Sequence, residues 1–127
     1  MSVELQRPKN NNPWRNLRKN EKDILVHLLS SHENFFQYAL EMNARKVRDM
    51  LDGGMGSIEF FSFKKGKMGG ILAEAQYVDI DNILVIITIL HDYFHHLYEV
   101  DFWKVDFSPL IKYPCPEFLS PYNPIKI

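Results

Sequence analysis

The chain has 127 residues, 46% of them hydrophobic, which suffices for one domain with a single core and is too short for two ordinary ones. With 15 basic and 16 acidic residues, no net field holds the whole surface against nucleic acid or an anionic membrane, so any such binding would have to be local. The single cysteine, Cys115, can form neither an internal disulfide nor a cysteine-paired zinc site, and the cytoplasm is the expected compartment.

Residues 1–13 are polar, rich in Asn and Lys, and carry Pro8 and Pro13. They bury too little surface to offset ordering entropy and are expected to form a flexible arm. The stretch lacks the apolar core of a signal peptide, and the longest apolar run, 83–90, is less than half a membrane-spanning helix, so no membrane partner is expected.

Asn20 suits an N-cap, and Glu21 and Asp23 suit the positive end of a helix dipole, which predicts a helix over 21–31 with Leu25, Leu28 and Leu29 facing inward. A second helix is predicted over 33–42, its apolar side formed by Phe35, Phe36, Ala39 and Leu40. The period then shortens. Strands over 47–51 and 57–63 form a hairpin around the turn 52–56, and 64–70 is a loop. Next, 71–77 alternates, with Ile71, Ala73, Ala75 and Tyr77 on one face and Glu74 and Gln76 on the other.

A turn with Asp79, Asp81 and Asn82 leads into 83–90, apolar on both faces and rich in branched side chains, as a central strand requires. A further turn near 91–95 returns the chain into Tyr98-Glu99-Val100-Asp101-Phe102-Trp103-Lys104-Val105-Asp106-Phe107-Ser108-Pro109-Leu110. Apolar residues there occupy even positions at Tyr98, Val100 and Phe102, then odd positions at Trp103, Val105 and Phe107. No regular period of two does this, so the segment is expected to be the last strand of the sheet, bulged or sharply twisted near Phe102 and Trp103.

Pro114, Pro116, Pro121 and Pro124 exclude helix and central strand, which leaves 114–127 as an extended tail lying over the domain. The expected fold class is α+β. One or two N-terminal helices precede an antiparallel meander of about five strands within a single domain over 14–113, closed by the Pro-rich tail.

Three pieces of the chain, taken in order, are Asp52-Gly53-Gly54-Met55-Gly56-Ser57, Ala73-Glu74-Ala75 and the block Tyr98 to Leu110. Together they resemble an uncharacterised family of small bacterial domains marked by DGGMGS and WKVDFSPL-type motifs, over roughly residues 15 to 113. The resemblance implies a bacterial single-domain protein and assigns no catalytic residue. Asn82 and the segment 91–96 depart from the Asp-Gly type turns of that pattern.

Glu74, Glu99 and Asp101 lie opposite the apolar sets of their strands and would share the non-core face if those strands are neighbours. Such carboxylates could bind a divalent cation or exchange protons, but a charged face that discourages aggregation explains them more simply. Lys104 and Asp106 lie beyond the phase change and either join that face or point away. If the bulge sets Trp103 beside these charges, the combination resembles an interface anchor more than a reaction centre.

The loop residues Asp52, Gly53, Gly54, Gly56 and Ser57 could present backbone N–H groups to an anion or a partner. The Lys-Ser/Thr ending of a phosphate loop is missing, and a hairpin turn with glycines at positive φ is the simpler reading. His91, Asp92, His95 and His96 invite a metal, yet they fall in a hairpin turn, so no metal or other cofactor is expected. Arg7, Lys9, Arg15, Arg18, Lys19 and Lys22 with Trp14 could touch nucleic acid, but a solvated tail with Trp14 packed on the domain is expected instead. Cys115 lies between two prolines without an activating neighbour in sequence and is not expected to be a nucleophile.

The expected function is a non-enzymatic module that binds a protein partner through its sheet face, of the kind a bacterial immunity or inhibitor protein uses against a cognate toxin. The alternative is a small enzyme or a ligand- or metal-binding protein built on the carboxylates, which requires a pocket on which they converge.

Overall fold

The computed structural model describes residues 9–64 and 66–122. Helix α1, Lys19–Leu29, begins at Lys19 rather than at residue 21, because the cap is not Asn20. Instead Glu21, in the first turn, reaches back to accept the Arg18 backbone N–H at 2.8 Å, which satisfies a donor at the helix start. Ile24, Leu25 and Leu29 are fully buried, and Leu28 packs at the edge of the core.

Helix α2, Phe35–Ala44, uses a different face from the expected one. Tyr38 and Met42 enter the core, Phe35 packs against it, and Phe36 and Leu40 are exposed. The rotation is tied to Glu41, whose carboxylate accepts the buried Leu97 N–H at 2.9 Å and binds Arg45 at 2.7 Å. The sequence stripe carries no sign of that polar attachment.

Strands β1 Val47–Asp49, β2 Ile58–Phe60, β3 Met68–Val78, β4 Leu84–Asp92, β5 Leu97–Lys104 and β6 Ser120–Pro121 form one antiparallel sheet in the order β1-β2-β5-β4-β3-β6. The run β3-β4-β5 is a meander. The β1–β2 hairpin then adds to the far side of β5, and β6 pairs with β3. The α+β class and the order of helices before an antiparallel sheet are thus as expected, with a sixth strand added. Strand β4 is interior, as its branched, two-sided apolar character requires.

Strand β5 is interior too, between β2 and β4, and not the last strand of the sheet. It also lacks the bulge expected at Phe102 and Trp103, since Phe102, Trp103 and Lys104 pair in unbroken register with Ile87, Ile86 and Val85. The irregularity falls at the other end, where Leu90 and His91 oppose Glu99 and Leu97. The apparent change of phase is a lysine in a core-facing place: Val100, Phe102 and Lys104 are buried along one face.

Strand β3 does shift phase. Its register slips between Ile71 and Ala73, so that Leu72 packs on the core and Ile71 points to solvent, while Ala73, Ala75 and Tyr77 keep the expected inward face. Both helices cover the face that carries Val85, Ile87, Ile89, Val100 and Phe102.

The segment 9–17 closes the β1 edge. Arg15 and Val47 exchange backbone hydrogen bonds at 2.7 Å, and the Asn10 and Asn12 side chains donate to the Asp49 carbonyl at 2.9 Å. Trp14 packs edge-on against Phe61 and beneath the Arg48 guanidinium, 4.3 Å from its ring centre. At the other end, a short 3-10 turn at Pro116–Phe118 interrupts the extended tail, which is possible because Pro116 sits in the first turn, where a missing N–H is not needed. Residues 1–8 of the expected arm and 123–127 of the tail lie outside the described residues.

Candidate functional site

Directly paired residues on neighbouring antiparallel strands share a face, so the register lays out the sheet surface opposite the helices row by row. Glu59 pairs with Glu99, which pairs with Leu90. Asp101 pairs with Thr88, which pairs with Glu74, and Trp103 pairs with Ile86, which pairs with Gln76. Glu74, Glu99, Asp101 and Trp103 therefore lie on one face, joined by Glu59, Thr88 and Ile86. Both helices lie behind the sheet, and Trp103 keeps 41% of its surface exposed.

The charges on this face are held in defined places. Arg48 Nε bonds Glu59 Oε1 at 2.6 Å, and the Ser57 hydroxyl donates to Asp101 Oδ1 at 3.2 Å. Partial removal from water raises the Asp101 carboxyl above the usual carboxylate range, with Asp52 adding to the shift and the Ser57 bond opposing it. Trp103 extends the surface towards Phe107, whose ring lies 6.2 Å away and is itself exposed.

Lys104 and Asp106 are not part of it. Lys104 is fully buried on the helix side of the sheet, where Nζ donates to Asp79 Oδ2 at 3.0 Å, Asp81 Oδ2 at 2.6 Å and the Pro109 carbonyl at 3.2 Å. Three acceptors meet the three donors of an ammonium. Burial disfavours the charge, but Asp81 and Asp79 outweigh it and hold the Lys104 pKa above its ordinary value. Asp79 also accepts the Ile80, Ile111 and Lys112 N–H groups. These bonds and Lys104 overcome the desolvation of Asp79 and bring its pKa down to about 2. The cluster clamps the 109–112 segment onto the β3–β4 turn. Asp106 is exposed beyond the strand and accepts the Ser108 N–H and hydroxyl, which lower its pKa.

The glycine loop is a hairpin turn, as the simpler reading expected: Gly53, Gly54 and Gly56 all have positive φ, and β1 pairs with β2. Its amides are used internally. Asp52 accepts the Gly54, Met55 and Ser57 N–H groups, so those amides are already engaged by a carboxylate. Ser57 is buried and bridges β2 to β5, receiving the Phe102 N–H at 2.9 Å.

His91 and His95 stack with ring centres 4.9 Å apart, and His91 Nδ1 lies 2.7 Å from the Asp92 carbonyl. Among the described residues no three His, Cys, Asp or Glu side chains gather in a way that could hold a metal ion. Arg15 forks onto Glu21 with both contacts at 2.8 Å and reaches Asp49 at 2.7 Å. That guanidinium is occupied by carboxylates of its own chain. A cleft of 420 Å³ opens between the end of β3 and the returning tail, walled by Gln76, Tyr77, Val78, Ile80, Tyr113 and Phe118 but not by Glu74, Glu99 or Asp101.

The domain that carries this face, from Trp14 at the β1 edge to the tail segment clamped by Asp79, matches the family model for Domain of unknown function (DUF6984) over residues 14–114. The chain belongs to that family. No curated protein and no solved structure matches it. The DUF6984 match takes in both helices and strands β1 to β5, hence the whole acidic face, and excludes β6.

Sequence reasoning missed Glu59, Thr88 and the Asp79–Asp81–Lys104 cluster. Glu59 alternates with Ile58 and Phe60, so its outward direction was readable, but its neighbour Glu99 was not, because β2 and β5 are not consecutive in sequence. Among the described residues no helix is long and apolar enough to cross a membrane.

Proposed function

We propose that this chain is a non-enzymatic protein-binding module whose sheet face opposite the helices receives a basic surface of a partner protein. The observation that carries the reading is the arrangement of Glu99, Asp101 and Glu74 in adjacent rows beside the half-exposed Trp103, on the face opposite the helices, with Glu59 next to them buried and held by Arg48. Acidic residues in the rows beside an aromatic anchor suit electrostatic steering followed by burial of the ring. The carboxylates spread over a pleated surface, which favours an extended contact over a converging reaction centre.

An immunity or inhibitor protein that covers the active surface of a cognate bacterial toxin is the specific form of this function that we put forward. A toxin that acts on an anionic substrate presents a basic substrate-binding surface, and an acidic sheet with an aromatic anchor answers that chemistry. The test is capture with wild-type bait beside Trp103→Ala and Asp101→Lys baits shown by circular dichroism to be folded. A protein retained by wild type and lost by both variants, whose toxicity co-expression neutralises, supports the reading. Identical recovery by all three baits, or recovery of chaperones alone, overturns it.

A further inference from the structure

A net charge of −1 conceals a segregation that the fold makes local. Residues 61–64 and 66–67, between β2 and β3, and the turn 93–96 between β4 and β5 lie side by side at one end of the sheet. The Tyr93 N–H donates to the Lys67 carbonyl at 3.0 Å, and Phe63 and His96 wall the same hollow. Neither 60–73 nor 93–98 contains an Asp or Glu, whereas the first holds Lys64, Lys65 and Lys67 and the second holds His95 and His96.

The nearest carboxylates are buried and engaged. Asp92 accepts the Phe94 and His96 N–H groups, and Glu41, which walls the hollow 3.4 Å from His96 Nδ1, is taken by Arg45 and the Leu97 N–H. Beside Lys64 and Lys67 three rings are exposed: Phe63 is 99% exposed, Tyr93 66% and Phe94 63%.

We propose that this end of the sheet is a docking tip for an anionic lipid bilayer. Phe63, Tyr93 and Phe94 enter the headgroup and upper acyl region while Lys64 and Lys67 contact the lipid phosphates. Aromatic rings settle at that depth, and lysines beside them are drawn by the negative surface potential. Two weak signals together give reversible attachment where one alone gives little. Phe63 meets Phe61 edge-on, with ring centres 5.1 Å apart, so its ring is held in place while it stays exposed. The tip departs from the expectation drawn from net charge and meets its condition that such binding be local. It shares no residue with the acidic face, so the two proposals stand or fall separately.

Sedimentation of the full chain with vesicles of phosphatidylcholine alone, and with added phosphatidylserine, tests the proposal. The expected result is partition onto the phosphatidylserine vesicles only, weakening as salt is raised. Replacing Lys64→Gln together with Lys67→Gln lowers partition by about 25-fold, about fivefold for each lysine. Phe63→Ser with Phe94→Ser abolishes it at unchanged circular dichroism, whereas Trp103→Ala leaves it intact. No partition at low salt, equal partition onto phosphatidylcholine, or full retention by the tip variants overturns the proposal. Capture of an acidic protein through the same residues without vesicle binding overturns it in favour of a protein interface.

Discussion

Replacing Asp79→Ala removes one of two carboxylates from the buried Lys104 ammonium and strips the acceptor from the Ile80, Ile111 and Lys112 amides. Breaking a buried ion pair by deleting one partner destabilises by about 3–5 kcal/mol. Asp81 remains 2.6 Å from Lys104 Nζ, which argues for the lower part of that range, about 3 kcal/mol. For a chain of this length the loss corresponds to a fall in Tm of about 10–15 °C. Urea denaturation followed by tryptophan fluorescence, with the slope m unchanged, measures it directly. The double variant Asp79→Ala with Lys104→Met should regain stability over Asp79→Ala alone, because an apolar side chain of similar length no longer strands a charge. A loss below about 1 kcal/mol for Asp79→Ala, or a double variant no more stable than the single one, would refute this account of the clamp.

A Cβ on Gly69 would lie 2.6 Å from the Asp92 carbonyl oxygen, so Gly69→Ala should destabilise by about 1–3 kcal/mol in the same urea assay. The pH profile of Tm should fall at both extremes. Asp79 sits at about 2 in the folded chain against 3.8 unfolded, so its contribution is complete above pH 3.8 and lost as pH drops towards about 2. Lys104, Tyr77 and Tyr113 are raised above 10.5, 10.0 and 10.0, respectively, so their contributions are complete below pH 10.0 and are lost as pH rises through the folded values.

The parts of the fold legible in sequence are those written in local period. Both helices, the β1–β2 hairpin and the interior place of β4 follow from spacing and turn residues. Three features broke the pattern for physical reasons. Lys104 occupies a core-facing position that a binary pattern assigns to an apolar residue, and Asp79, which makes that tolerable, lies 25 residues away. The slip between Ile71 and Ala73 exchanges the directions of Ile71 and Leu72, although both are apolar and neither signals a bulge. On α2, Tyr38 and Met42 displace Phe36 and Leu40 from the core because Glu41 must reach the start of β5.

The candidate face was partly legible for the opposite reason. Alternation alone sets Glu74, Glu99 and Asp101 opposite the buried residues, whereas Trp103 joins them in the sequence reading only through the expected bulge. Trp103 shares the face of Glu99 and Asp101 because β5 runs without a bulge there, not because of one. Knowing that Glu59 stands beside Glu99 required the non-sequential pairing of β2 with β5, and no residue in either strand announces it.

The central claim is that the acidic sheet face with Trp103 is a protein-binding surface. Its most direct test is the affinity of the captured partner, purified, for wild type and for folded Trp103→Ala by isothermal titration. The account predicts a loss of about thirtyfold or more, the scale of an anchor worth about 2 kcal/mol, and a further loss with salt. An unchanged dissociation constant would contradict it.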